Sequence, residues 1–214
     1  TLFRSYITHP LAVAEIVADL GLDADSVIAA LLHDTIEDTN ATHEEVAKQF
    51  GETVAALVEG VTKLSRVQYT SKEEEQMENL RKMFMAMAQD IRVILIKICD
   101  RLHNMRTMEY QSPAKQREKS LETMEIYAPI AHRLGMQKLK WELEDLSLRY
   151  LDPVGYKEIE DELAARSSAH EEFLAAVQQR ITQRMWEEGI RCKVYGRVKH
   201  TYSIYRKMFA QNKT

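Results

Sequence analysis

The sequence predicts an all-α helical bundle, on three observations. Breakers are scarce, with 7 glycines and 4 prolines in 214 residues. Ala, Leu, Glu, Lys, Gln and Met, which lose little rotamer freedom in a helix, abound. Apolar residues recur at helical spacing between recognisable start and stop signals. The length allows one large domain, or one domain plus part of another.

Thr8-His9-Pro10 opens the first helix, with Pro10 suited to a first turn; it runs through Val13, Ile16, Val17 and Leu20 to Gly21. The next, from about Ser26, reads Val27-Ile28-Ala29-Ala30-Leu31-Leu32 and is apolar all round, which predicts a central position. Thr42-x-x-Glu45 is a capping box, and Gly51 closes its helix. Residues 65 to 76 are polar and read as a loop entering a solvated helix. A second strongly apolar helix, over 91–99, leads into Cys99-Asp100. Ser112-Pro113 and Asp152-Pro153 start two more, and a charged helix from about Ser167 ends near Gly189. There the period changes: Ile190-Arg191-Cys192-Lys193-Val194-Tyr195 alternates like a strand and leads into the basic run from Gly196 to His200. A second, mixed domain is expected to begin in this region.

The net charge of −4 gives no general attraction to nucleic acid or anionic membrane, so a polyanionic ligand would need a local cation cluster or a metal. No apolar run approaches a membrane span of roughly 20 residues, and no signal peptide is visible. Cys99 and Cys192 lack metal-ligand spacing and read as buried free thiols, which fits a cytoplasmic location.

Chemistry concentrates where charge follows apolar helices. The segments 26–32 and 91–99 each run into His and carboxylate groups: His33-Asp34-Thr35-Ile36-Glu37-Asp38, and Asp100. Burying such groups unpaired costs several kcal/mol, on the order of 2–7 for a neutral polar group and more for a charge. At helical spacing His33 stacks over Glu37, Asp34 over Asp38, and Asp100 over Asn104. With His9, this makes two imidazoles and two carboxylates, a donor set for a divalent metal such as Mn²⁺, Fe²⁺ or Zn²⁺. Each piece has a plainer reading alone: a helix-end hydrogen bond for His33-Asp34, a capping or core histidine for His9, a local ion pair for Asp100-Arg101. Their coincidence favours a metal site in which Glu37 and Asp38 orient the attacking water or move its proton. His43 and His170 are expected to be exposed, His103 and His132 to make structural hydrogen bonds, and the methionines to fill core.

The strings Tyr6-Ile7-Thr8-His9-Pro10, His33-Asp34-Thr35-Ile36-Glu37-Asp38, Gly60-Val61-Thr62-Lys63-Leu64 and Asp100-Arg101-Leu102-His103-Asn104-Met105-Arg106-Thr107 resemble the hydrolase domain of RelA/SpoT homologues. So do the segments 125–135 and 196–208, in the same order. These are bifunctional stringent-response enzymes that make and degrade (p)ppGpp. The resemblance implies an all-α HD-domain helical bundle, followed by the beginning of an α+β nucleotidyltransferase-like domain. It implies Mn²⁺ on His9, His33, Asp34 and Asp100, catalysis by Glu37 and Asp38, and substrate contacts from Arg4, Lys63, Asn104 and Arg106. The implied reaction releases the 3′-pyrophosphate of ppGpp or pppGpp as pyrophosphate, leaving GDP or GTP.

Two departures stand out. Between Arg4 and Tyr6 only Ser5 remains, where the family usually carries a short Gly/Pro-containing stretch. The synthetase domain is represented only by its start, where Arg197, Lys199, Ser203 and Lys207 match a segment that helps hold ATP phosphates. Its Mg²⁺-binding carboxylates would lie beyond Thr214, so no synthesis is expected of these residues alone. The expected division is 1–151 for the hydrolase domain with connecting helices, and 152–214 for a linker helix and the truncated synthetase start. Expected partners are the guanosine nucleotide, and the ribosome only through regions not in this chain; neither membrane nor direct nucleic-acid binding is expected. Two alternatives remain open at this point: another HD-domain nucleotide phosphohydrolase, or a non-catalytic alarmone-binding regulatory module.

Overall fold

The computed structural model describes residues 7–65, 81, 85 and 89–209. Its elements are α1 (Thr8–Asp19), α2 (Ala24–Leu32), α3 (Thr35–Asp38), α4 (His43–Phe50), α5 (Glu52–Ser65) and α6 (Ile91–Arg106). After a single 3₁₀ turn (Met108–Tyr110) come α7 (Pro113–Glu122), a π-helical turn (Thr123–Tyr127), α8 (Ala128–Arg133) and α9 (Gln137–Leu151). The last three are α10 (Pro153–Ala165), α11 (Ser167–Glu187) and α12 (Thr201–Met208). The all-α reading holds.

Local signals set the boundaries. At Gly21, φ is +75°, a left-handed conformation that costs glycine nothing and lets the chain leave α1. The Thr42 side chain accepts from the Glu45 N–H while Glu45 reaches back to the Thr42 N–H, so the capping box forms. Ser112 and Asp152 cap α7 and α10 by accepting from the Lys115 and Gly155 N–H groups. The π turn ends just before Pro129. Proline has no N–H to give the carbonyl four residues back, and its ring crowds that carbonyl, so the ladder widens and Ala128 N–H donates to Thr123 instead.

Helix α6 is the axle of the bundle. Ile94, Ile98, Leu102 and Met105 are at most 1% exposed, and Val93, Ile96 and Cys99 are buried beside them. Such side chains each contribute about 1.5–3 kcal/mol on burial. α1, α2 and α5 pack on one part of α6, and α9 and the π turn on another. Burial, and then the neighbouring Asp100 charge, push the Cys99 thiol up to about 12 against a smaller opposing effect of Arg106, so it stays an inert core group. Arg101 lies 4.2 Å over the Tyr127 ring and donates to Glu122 at 2.9 Å, which ties the π turn to α6.

The structure departs from the sequence reading in several places. α6 does not stop at Cys99 but continues to Arg106, so Asp100 lies inside a helix; the buried Met105 and the i,i+4 bond from Asn104 to Asp100 carry the helix onward. α2 packs against α1, α5 and α6, yet Leu31 is exposed, so its apolar surface is not wholly enclosed. Residues 190–200 form no strand, and no strand occurs among the described residues. An alternating segment becomes a strand only by pairing, and no second extended segment lies alongside this one among the described residues. For the same reason Cys192 is exposed rather than buried. The polar 66–76 stretch and Arg4 lie outside the described residues.

Candidate metal centre

Three stretches of chain bring the chemistry together. His9 sits in the first turn of α1, His33 and Asp34 fill the junction between α2 and α3, and Asp100 projects from the middle of α6. At the junction His33 keeps helical dihedrals (φ −58°, ψ −33°), but ψ flattens to −5° at Asp34, which interrupts the ladder. The Asp38 N–H donates to the Asp34 carbonyl at 2.8 Å, closing the next turn and setting Glu37 and Asp38 on the exposed side of α3.

The donor atoms converge. His9 Nε2 lies 3.2 Å from His33 Nε2 and 3.3 Å from Asp100 Oδ1. His33 Nε2 is 3.1 Å from Asp34 Oδ1 and 3.9 Å from Asp100 Oδ1, while Asp34 Oδ2 is 3.8 Å from His9 Nε2. His9, His33 and Asp100 make the compact trio, with ligand atoms all within 4.8 Å of one another, and Asp34 stands at its edge. A cation bonded at about 2.1 Å holds neighbouring donors about 3.0 Å apart at right angles and about 3.4 Å apart at the tetrahedral angle. The shorter separations match this.

Proton bookkeeping points the same way. His33 Nδ1 is 2.7 Å from the Ala30 carbonyl, so it must be the N–H. In a neutral ring Nε2 is then a bare lone pair, aimed at a carboxylate oxygen and at another imidazole nitrogen. Such a contact is favourable only with positive charge between the atoms, supplied by a proton or a metal cation. Burial pulls the His33 pKa down, but the hydrogen bond to Asp34 and the charge of Asp100 outweigh it and raise it. The residues therefore fit a divalent cation, and an imidazole whose other nitrogen gives its hydrogen to a carbonyl is the usual arrangement for a metal ligand.

Asp100 is 4% exposed and would be costly to ionise unaided. Burial drives its pKa up; Lys97, His9 and His33 more than reverse this and hold it well below the usual carboxylate range. Lys97 Nζ is 2.8 Å from Asp100 Oδ2, and Asn104 Nδ2 donates to Asp100 Oδ1 at 2.6 Å. Burial likewise lowers the Lys97 pKa, and Asp100 with Tyr127 brings it above its ordinary value.

The remaining candidates divide. Asn104 reaches the site, gripping Asp100. Lys63 pairs with Glu59 at 2.8 Å, and Arg106 makes a two-pronged pair with Glu142 of α9 at 2.6 and 2.9 Å. At the far end of the chain, the Arg197 guanidinium lies 3.6 Å over the Trp141 ring of α9 and contacts His200, which stacks on the same ring at 4.1 Å. Tyr202 N–H donates to Asp145, Thr201 to Glu160 and Tyr205 to Asp152, so α12 and the turn before it are seated on α9 and α10. The neighbouring Lys199 ammonium lowers the Lys207 pKa, so these two cations are close; Ser203 lies between them in sequence on the half-buried part of α12.

Two residues that the sequence reading did not place in the site belong beside it. Lys97 is a cation inside an apolar run, three residues before Asp100, and that interruption is its signal. His103, three residues after Asp100, has Nδ1 2.7 Å from His9 Nδ1. Burial, then His9 and Arg106, hold the His103 pKa below its ordinary value. His132 is exposed and bonded to Gln137, and His43 is half-buried between Glu52 and Glu59. Met105 and Met108 fill core, as expected, whereas Met85 is exposed.

Comparison with known proteins adds an independent line. Residues 3–137 match the family model described as HD domain. The chain is 51% identical over 203 residues to the "Bifunctional (p)ppGpp synthase/hydrolase SpoT" of Escherichia coli K12, covering 95% of this chain and 29% of that protein. It is 51% identical over 208 residues to a "Probable GTP pyrophosphokinase" of Mycobacterium leprae, covering 97% of this chain and 26% of that one. It is 48% identical over 210 residues to the "Guanosine-3′,5′-bis(diphosphate) 3′-pyrophosphohydrolase" of Haemophilus influenzae, covering 96% and 31%. The chain thus spans roughly a quarter to a third of the length of these relatives.

Proposed function

The chain belongs to the HD-domain family, with about half its residues identical to SpoT- and RelA-type relatives, and from this premise we propose that it is a metal-dependent phosphohydrolase that removes the 3′-pyrophosphate of (p)ppGpp. The observation that carries this reading is the convergence of His9, His33 and Asp100, with Asp34 at the edge, around one point. The cation proposed is Mn²⁺, in keeping with a donor set of imidazoles and carboxylates.

When bound, the cation supplies Lewis acidity to a phosphoryl oxygen and makes a bound water more acidic. The protein's own part is positional and electrostatic. His33 offers Nε2 because Ala30 holds its Nδ1–H. Asp100 stays ionised because Lys97 and Asn104 hold its two oxygens. On the exposed turn beyond Asp34, Glu37 or Asp38 takes the water's proton as its oxygen joins phosphorus, and that proton passes on to the 3′ oxygen as its bond to phosphorus breaks. The products are pyrophosphate and GDP, or GTP from pppGpp. Arg4, Lys63, Asn104 and Arg106 are proposed as substrate contacts; Lys63 and Arg106 would exchange their present carboxylate partners for phosphate oxygens.

Arg197, Lys199, Ser203 and Lys207 are proposed as phosphate contacts of a synthetase site using Mg²⁺, where a bound anion would relieve the repulsion by which Lys199 lowers the Lys207 pKa. We place the protein in the cytoplasm, where an exposed Cys192 and a buried Cys99 would both stay reduced. No helix among the described residues is long and apolar enough to cross a membrane.

The test is incubation with ppGpp and Mn²⁺, with nucleotides resolved by ion-exchange chromatography. GDP and pyrophosphate are expected, and His33→Ala or Asp34→Ala should abolish their release. Turnover of dATP or an NADP-type substrate with none of ppGpp would refute the substrate while sparing the metal site.

A further inference from the structure

His9 and His33 face the same point through Nε2, but the two rings are held differently from behind. His33 Nδ1 gives its hydrogen to a backbone carbonyl, that of Ala30, at 2.7 Å. His9 Nδ1 faces the Nδ1 of a second imidazole, His103, also at 2.7 Å. Two ring nitrogens at that distance share one hydrogen, and which ring carries it decides what His9 can do. With the hydrogen on His9 Nδ1, its Nε2 presents a lone pair toward His33 and Asp100; with the hydrogen on His103 Nδ1, a neutral His9 must carry its own on Nε2 and cannot ligate.

We infer that His103 is the positioning residue of His9: its Nδ1 accepts the His9 Nδ1–H, fixing the ring's rotation and tautomer so that Nε2 is a ligand. The ring centroids lie 4.8 Å apart at 54°, so this is an in-line hydrogen bond rather than a stack. The register of α6 makes the arrangement possible. His103 follows Asp100 by three residues, so one helix supplies a ligand and the brace of another. His103 does not itself meet the cluster, since the His9 ring stands between its Nδ1 and the convergent atoms. It therefore acts through His9, as the Ala30 carbonyl acts through His33.

The inference rests on the metal-centre reading, and the experiment separates the two. Mn²⁺ alone is titrated calorimetrically into metal-free wild type, His103→Leu and His103→Asn, with thermal unfolding of each metal-free protein alongside. His103→Leu removes the acceptor and should weaken Mn²⁺ binding about 10–100-fold, the usual effect of losing a group that orients a metal ligand from behind. His103→Asn keeps an acceptor oxygen near the Nδ1 position and should recover most of that loss. Mn²⁺ affinity unchanged in His103→Leu, or Asn no better than Leu in a folded protein, overturns the inference. A direct readout needs no variant: in ¹⁵N-histidine-labelled, metal-free wild type at alkaline pH, His9 should show hydrogen on Nδ1 and His103 on Nε2. Hydrogen on His9 Nε2 overturns the inference. A wild type that binds no Mn²⁺ overturns the metal-centre reading instead, and the tautomer measurement still decides the role of His103.

Discussion

Replacing Lys97 by Met tests the electrostatics beneath the site. Met keeps most of the aliphatic stem and deletes only the ammonium, 2.8 Å from Asp100 Oδ2. The two side chains are 14% and 6% exposed, so water cannot take over the lost charge. Breaking a buried ion pair from one side costs about 3–5 kcal/mol. Asn104 still donates to Asp100 Oδ1, which puts the expectation at the low end, about 3 kcal/mol. In a chain of this length about 2–4 °C of melting temperature accompany each kcal/mol, so metal-free Lys97→Met should unfold about 6–12 °C lower. The decisive form is a double-mutant cycle read by urea denaturation. In an Asp100→Asn background the carboxylate charge is gone, and the buried Lys97 ammonium loses the anionic partner that it held at 2.8 Å. There Lys97→Met should be neutral or stabilising, a coupling of about 3 kcal/mol. The same loss in both backgrounds would refute the pairing and return Lys97 to a packing role.

Glu122→Gln should cost about 2 kcal/mol at neutral pH, because it removes the carboxylate that Arg101 and Lys119 grip at 2.9 and 3.0 Å. Burial alone would raise the Glu122 pKa, but Arg101 and then Lys119 lower it below 4.5, so its stabilisation is present above that value and drains away as pH falls through the folded pKa. Acid titration of stability should therefore start to draw wild type and Glu122→Gln together as pH falls below about 4.5, the two meeting only below the lowered folded pKa, and parallel curves would contradict the pairing. Gly60→Ala puts a Cβ 2.8 Å from Val93 Cγ2, and crowding against a β-branched side chain should outweigh the helix-propensity gain, with a net loss of about 1–2 kcal/mol. Val93→Ala should relieve it; a stabilised Gly60→Ala would show that the helices approach less closely. Arg106→Gln should change stability by under about 1 kcal/mol, since its pair with Glu142 is 43% and 40% exposed. In the ppGpp assay it should raise KM while sparing kcat, and an unchanged KM would leave Arg106 as an interhelical tie alone.

That His9, His33, Asp34 and Asp100 would lie together was legible in the sequence because imidazoles and carboxylates coincide beside apolar helices, although each alone has a plainer explanation. The helix starts at Ser112-Pro113 and Asp152-Pro153 were legible because caps are local. What stayed hidden is what depends on distant chain. Nothing near Arg106 announces Glu142, 36 residues away, and nothing near His9 announces His103, 94 residues away. The strand expected at 190–195 failed for the same reason, since alternation is local whereas pairing is not. The end of α6 was misread because Asp100 looked like a terminus. Its charge is answered within the helix by Lys97 and Asn104, so no interruption was needed.

Helix α6 carries Lys97, Asp100, His103 and Asn104 within eight consecutive residues. These four are therefore indexed to one another by a single screw and not by the rest of the fold. A substitution alters one tooth of that screw. A one-residue insertion between Ile91 and Lys97 would turn all four together by about 100° relative to the packed N-terminal turn, leaving their mutual spacing intact while aiming them elsewhere. The segment should thus tolerate exchange of individual residues far better than any change in its length, and its weak point is counting, not chemistry.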